Sequence, residues 1–207
     1  MNTRQRITAV LITVASVAIA GTLTATAAKK SAKAGQVAKA QQAAQAKIKR
    51  GEYLVTIGGC NDCHTPFKMG PNGPEPDMSR ALSGHPESLV ITAPPQLGEG
   101  PWMWAGAATN TAFAGPWGVS FAMNLTPDRI TGIGIWDEAM FKKTIRTGRH
   151  WGVGRPILPP MPWFNYRQAT DEDLSAIYAY LRTLKPVRNQ IPDAILAPPP
   201  PVKTAAK

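Results

Sequence analysis

The apolar and polar positions change texture several times along the chain. Residues 7–21, "ITAVLITVASVAIAG", are an apolar run, and no charge appears anywhere in 7–28. Residues 29–50, "KKSAKAGQVAKAQQAAQAKIKR", are Ala, Lys and Gln with almost no large apolar side chain. That composition favours helix but offers no stripe to bury, which predicts a solvated, loosely helical tether. In "GEYLVTIGGC" the residues Leu54, Val55 and Ile57 sit on the last turns of a short helix that Gly58 and Gly59 end. Residues 66–123 are rich in Pro, Gly and Trp and show no sustained helical or strand period. A structureless connection of that length is unusual inside a compact domain, so an ordered wrap around something large is expected.

Two helices follow with readable ends. Asp137 is a candidate N-cap, Phe141 and Ile145 fall at i and i+4, and Gly148 stands where a helix closes on a left-handed residue. The second opens at Thr170, with Asp173 three positions on as a near capping box. Its stripe is Leu174, Ile177, Tyr178, Leu181 and Leu184, and Lys185-Pro186 stops it. The remainder, from residue 188, reads as an extended Pro-rich tail with no core residues to spare. These boundaries divide the chain into 1–28, a signal peptide or N-terminal membrane anchor; 29–49, the tether; 50–187, one folded domain; and 188–207, the tail.

Charge changes the picture only at the front. The formal net charge is +10, a value that raises nucleic acid or membranes as partners. Nine of the 23 Lys and Arg lie before residue 51, where no Asp or Glu occurs. The body is therefore nearly neutral, and without basic and aromatic interleaving no nucleic-acid partner is expected. The leader has a basic start, the apolar run and "ATA" at 25–27, small residues that a signal peptidase accepts. An uncleaved anchor is the other reading, since 7–28 can just span a bilayer of roughly 30 Å.

The candidate chemistry lies in "GGCNDCHTP", residues 58–66, which holds both cysteines of the chain and one of its three histidines. Cys60-Asn61-Asp62-Cys63-His64 is the C-x-x-C-H spacing of covalent haem attachment: each thiol adds to one vinyl group of a haem, and the next residue in the chain meets the iron. Zinc would need four ligands, and only the isolated His85 and His150 remain. A redox dithiol expects a βαβ context that the flanking sequence lacks. A structural disulfide between cysteines three apart would be strained.

A haem poses the question of its sixth ligand. A Met opposite the His raises the potential and closes the iron. Met161 in "RPILPPMPWF" is braced by Pro159, Pro160 and Pro162 and is the first candidate. Met123 is the next; Met140 lies within a helix, and His85 and His150 read as surface or loop residues.

With these residues quoted, the chain resembles a class I-type cytochrome c domain, and more closely the cytochrome c electron-transfer subunits of bacterial dehydrogenases. The matching text is "GEYLVTIGGCNDCHTP", "NLTPDRITGIGIWDEAMFKKTIRTGRH" and "LPPMPWFNYRQATDEDLSAIYAYLRTLKPV". The resemblance implies an all-α cytochrome c fold, its long Pro/Gly/Trp-rich loops wrapped around one covalently bound haem c. It implies thioethers at Cys60 and Cys63, His64 as the proximal iron ligand and Met161 as the distal one, with no catalytic residues. It also implies crossing terminal helices, in which Gly51 meets Tyr178 or Tyr180. Many relatives carry two or three C-x-x-C-H motifs and this chain carries one. The expected role is single-electron transfer in the periplasm, soluble or membrane-tethered, from a dehydrogenase donor to a downstream cytochrome or oxidase of the respiratory chain. The alternative is a haem enzyme or gas or redox sensor with an open sixth position, served by His150. Trp102, Trp104 and Trp117 are expected to cover the core or the haem, or else to form a docking face.

Overall fold

Helix α1 (Thr3–Ile57) is the first element of the computed structural model, which describes residues 3–97 and 100–198 and side chains from residue 30 onward. The export signal or anchor expected at 1–28 lies outside the residues whose side chains are described. Among the described residues no helix is long and apolar enough to cross a membrane. The chain divides into two compact units, Met1–Ala46 and Lys47–Lys207. In the first, residues 30–46 are helical and every side chain is exposed, as a helix without an apolar stripe must be.

In the second unit, the last turns of α1 carry Val55 into the core. Gly58 closes the helix on the Leu54 carbonyl at 2.9 Å, and Gly59 adopts φ 65°, a left-handed turn that starts α2 (Cys60–His64). Helix α3 (Glu138–Thr147) begins at Asp137, whose carboxylate accepts the Met140 N–H at 2.7 Å, and ends at Gly148 with φ 64°. A four-residue α4 (Trp163–Tyr166) precedes α5 (Asp171–Leu181), capped by Thr170, whose hydroxyl accepts the Asp173 N–H at 3.0 Å. Helix α1 crosses α5 at Gly51: a Cβ there would strike the Ala176 carbonyl and lie 2.8 Å from Tyr180 Cβ. Of the two expected tyrosines, the contact is to Tyr180. Salt bridges Lys47–Glu138 (3.4 Å) and Arg50–Asp173 (3.0 Å) tie the same end of α1 to α3 and α5. Val55, Leu82, Ile133, Trp136, Phe141 and Leu181 form the buried cluster between these helices.

The all-α expectation needs correction, because the body is mixed helix and sheet. Strands β1 (Phe67–Gly70) and β2 (Gly73–Pro76) pair as an antiparallel hairpin. Strands β3 (Ala105–Gly106), β4 (Ala112–Gly115), β5 (Gly118–Phe121) and β6 (Ile195–Leu196) form an antiparallel sheet in that order. They escape the periodicity because they are short and, in β4 and β5, three consecutive residues are buried, so no alternation marks a face. Strand β6 belongs to the tail read as extended and coreless. Asn189 is 1% exposed, and its amide donates to the carbonyls of Ser83 (2.7 Å) and His85 (2.8 Å) while its oxygen accepts Glu87 N–H at 3.0 Å. The folded body therefore runs on past residue 187, because buried carbonyls at 83 and 85 need donors. Residues 199–207 of the tail lie outside the described residues.

Candidate functional site

A cavity of about 450 Å³ opens between the cysteine turn and the segment that follows α3. Its size falls in the range of small-molecule and cofactor sites, and its walls are mostly apolar, with Trp136, Phe141, Ile145 and Leu174 among them. Cys60, Cys63 and His64 line it, and so do Met161, Pro159 and Pro160. Residues almost a hundred positions apart are thus brought to one space.

Local bonding fixes the cysteine turn. Thr65 is fully buried; its hydroxyl donates to Asn61 Oδ1 at 2.7 Å and accepts the Leu82 N–H at 2.8 Å. Gly84 N–H donates to the His64 carbonyl at 2.8 Å, and the Asn110 amide to the Asp62 carbonyl at 2.6 Å. The His64 ring is buried with Nδ1 2.7 Å from the Met123 carbonyl. A carbonyl only accepts, so Nδ1 carries the hydrogen and Nε2 keeps a bare lone pair. Burial lowers the His64 pKa, outweighing the Met123 hydrogen bond, and keeps the ring neutral. A neutral imidazole oriented through its other nitrogen is the form that ligates metals.

The thiols are unbridged. Burial pushes Cys60 up to about 11, and burial and then the Asp62 charge raise Cys63. Thiols held protonated are poor redox nucleophiles, which weighs against a dithiol catalyst. Among the described residues no group of three or more His, Cys, Asp or Glu side chains is arranged to hold a metal ion.

The Met161 segment is held by other means. Pro156, Pro159, Pro160 and Pro162 supply no N–H, and the Pro159–Pro160 peptide is cis. Ser120 Oγ donates to the Pro159 carbonyl at 2.5 Å, and Ile157 N–H to the Gly148 carbonyl at 2.8 Å. Tyr166, also on the cavity wall, donates its hydroxyl to the Gly58 carbonyl and so links this segment to the cysteine turn. Nothing in the sequence points to Tyr166; its role depends on a contact 108 residues away.

The other expected residues divide. Met123 also lines the cavity, but it packs on the core cluster and its carbonyl serves His64, which puts its backbone beside the histidine. His85, read as a surface or loop residue, is fully buried, with Nδ1 3.0 Å from Thr111 Oγ1 and Nε2 2.9 Å from the Leu89 carbonyl. With both nitrogens engaged it has no free donor for a ligand. His150 lines the cavity. Trp102 and Trp104 do not cover the core: they are 79% and 47% exposed, and only Trp104 meets an aromatic neighbour, edge-on to Phe113. Trp117 is half-buried.

No protein-family model matches the chain. It is 31% identical over 147 residues to a nicotinate dehydrogenase subunit from Pseudomonas putida, covering 71% of this chain and 9% of that protein. It is 31% identical over 139 residues to the gluconate 2-dehydrogenase cytochrome c subunit of Pantoea cypripedii, covering 67% of this chain and 23% of that protein. It is also 31% identical over 159 residues to the cytochrome c subunit of the quinone alcohol dehydrogenase of Gluconobacter oxydans, covering 75% and 26%. The chain thus spans about a quarter or less of the length of these relatives. Its homologues include cytochrome c subunits of bacterial dehydrogenases, at modest identity over about 70% of the chain.

Proposed function

We propose that the chain is a mono-haem c-type cytochrome that accepts single electrons from a dehydrogenase and passes them to a downstream cytochrome or oxidase of the respiratory chain. It works in the periplasm, soluble or tethered to the cytoplasmic membrane by an uncleaved N-terminal segment, and is an electron-transfer protein rather than an enzyme. One observation carries the reading: a largely apolar cavity has the C-x-x-C-H turn on its wall, with the His64 Nε2 lone pair free, and also faces Met161. The donor set fits a c-type haem, with two thiols at thioether spacing, a neutral imidazole and a thioether sulfur. When bound, the haem supplies a one-electron couple.

The residues around it have distinct tasks. Cys60 and Cys63 would hold the group covalently, and His64, oriented by the Met123 carbonyl, would supply its Nε2 lone pair to the iron. Met161 would supply its thioether as the second ligand and so keep that position from a substrate. The apolar walls exclude water and favour the less charged state of the couple. With a single C-x-x-C-H in the sequence and both cysteines consumed, one haem is the expected content. Since the relatives are about four or more times longer than the matched region, the donor and acceptor are part of the proposal.

His150 on the same cavity wall is the observation that favours the other reading, a haem enzyme or sensor with an open sixth position. Carbon monoxide separates the two. The ferrous electron carrier does not bind it at neutral pH, whereas Met161→Ala does; ready binding by the unaltered protein would overturn the electron-carrier reading.

A further inference from the structure

Between α3 and the Met161 segment the chain turns back on itself at residues 149–156. An isolated antiparallel bridge joins Arg149 to Pro156, and His150 N–H donates to the Arg155 carbonyl at 3.0 Å. At the tip, Trp151 and Val153 are 51% and 68% exposed. Trp151 stands at φ 55°, one of three described non-glycine residues in the left-handed region. A bulky residue there is held by its surroundings against its own preference, and such positions concentrate at functional sites.

The tip is not isolated from the cavity. The Trp151 indole stacks on the His150 ring, centroids 4.9 Å apart and planes 29° apart. His150 lines the cavity, and its other neighbour is the buried Trp136, 5.6 Å away and edge-on, which lines it too. An aromatic path therefore runs from the cavity wall to solvent.

Charge surrounds the same tip. From Ala139 to Thr170 the sequence is rich in Lys and Arg and holds no Asp or Glu. Lys142 and Arg146 are neutralised by Glu138 and Asp171, at 3.0 and 2.6 Å. Lys143, Arg149 and Arg155 are exposed, and among the described residues none has a carboxylate partner. Lys143 lies against Gly152 of the tip, where a Cβ would strike its chain. The body's near-zero net charge therefore hides a local positive rim around a small apolar point. That is the layout of a transient contact: apolar centre, charged rim, encounter steered by field.

Resting on the reading of the chain as an electron carrier, we infer that the 149–156 turn is its electron-exchange surface. Trp151 is the contact residue, and an acidic redox protein is the partner, drawn by Lys143, Arg149 and Arg155. In the exchange one electron leaves the reduced carrier and reduces the partner's acceptor by one; no atom or proton moves.

The test uses the haem-loaded full chain with ferricyanide as the anionic acceptor and tris(phenanthroline)cobalt(III) as the cationic one. At low salt Arg149→Gln/Arg155→Gln slows reduction of ferricyanide about tenfold, the lower end of steering effects, and flattens its salt dependence. Lys33→Gln/Lys39→Gln, an equal loss of charge from the tether, leaves both unchanged. Trp151→Ala slows exchange with both acceptors, and Trp151→Phe restores much of it. An independent readout is the tryptophan indole NMR spectrum during titration with polyglutamate. The Trp151 resonance, assigned from Trp151→Phe, shifts first, and does so less in the double arginine variant. The inference is overturned if the arginine and tether variants behave alike, if Trp151→Ala exchanges at the unaltered rate, or if the Trp102 or Trp104 indole shifts instead. A preparation with no covalent haem spectrum would end the electron-carrier reading itself. A full spectrum with unmoved rates and resonances would remove only this surface.

Discussion

The two sides of the cavity are built on different principles. Around the cysteine turn, Asn110 donates to the Asp62 carbonyl, Gly84 donates to the His64 carbonyl, the Met123 carbonyl accepts from the His64 ring, and Thr65 ties Asn61 to Leu82. Around Met161, prolines restrict the backbone while removing donors, and the segment is anchored by Ser120, Ile157 and Tyr166. One side is fixed by bonds made in the folded state. The other is fixed largely by chain stiffness, which lowers the entropy of the unfolded chain but leaves few ties to break. The Met161 side is therefore the one that yields first, and the cysteine side the one that lasts.

The largest expected effect tests the cysteine side. Cys60→Ser/Cys63→Ser abolishes covalent haem, read as complete loss of haem-linked absorbance or peroxidase stain on a denaturing gel. Met161→Ala comes next: the haem stays attached, carbon monoxide binds the ferrous protein, and the midpoint potential falls by a sizeable part of the about 0.8 V that axial ligands span. If that variant instead lost its haem, the two sides would not be separable. Smaller again is Tyr166→Phe, which removes the clamp between them. One hydrogen bond amounts to about 0.5–1.5 kcal/mol, read as a lower denaturation midpoint, and the loss is expected together with measurable carbon monoxide binding. An equal stability loss with no binding would make Tyr166 a general support rather than a support of the Met161 side.

The smallest effect lies in the helical layer behind both sides. Hydrogen bonds from Ser175 first, then Lys142 and Lys47, hold the Glu138 carboxyl at about 2, below its usual 4.5. A depressed acid stabilises the fold fully above its unfolded value and loses that contribution as pH falls through the folded one. Acid titration should thus show a loss of stability between about 4.5 and about 2 that Glu138→Gln lacks. The Glu138 side chain is 39% exposed, so solvent screening keeps the effect modest.

The features legible in the sequence are those decided within a few residues. Asp137, Gly148 and Thr170 act at their own helix ends, and the C-x-x-C-H turn brings its donors together in one stretch. What escapes is decided across long separations. Strand β6 exists because Gly118 and Val119 offer it an edge, and its own two residues carry no strand pattern. Asn189 reads as tail because its partners, Ser83 and His85, lie 106 and 104 positions earlier. Hydrophobicity alone points Trp102 and Trp104 inward, yet both are exposed. Near-zero net charge likewise conceals the acid-free stretch from 139 to 170, because a total carries no positions.

The Asn189 contact has a bearing on time as well as stability. The cysteine turn is made early in the chain, yet the carbonyls above it at 83 and 85 wait for an amide more than a hundred positions later. Pairings of such long separation close slowly. A ribosome working from the amino end therefore delivers the attachment turn well before the segment that seals this part of the fold, and a chain cut before residue 189 leaves that seal permanently undone.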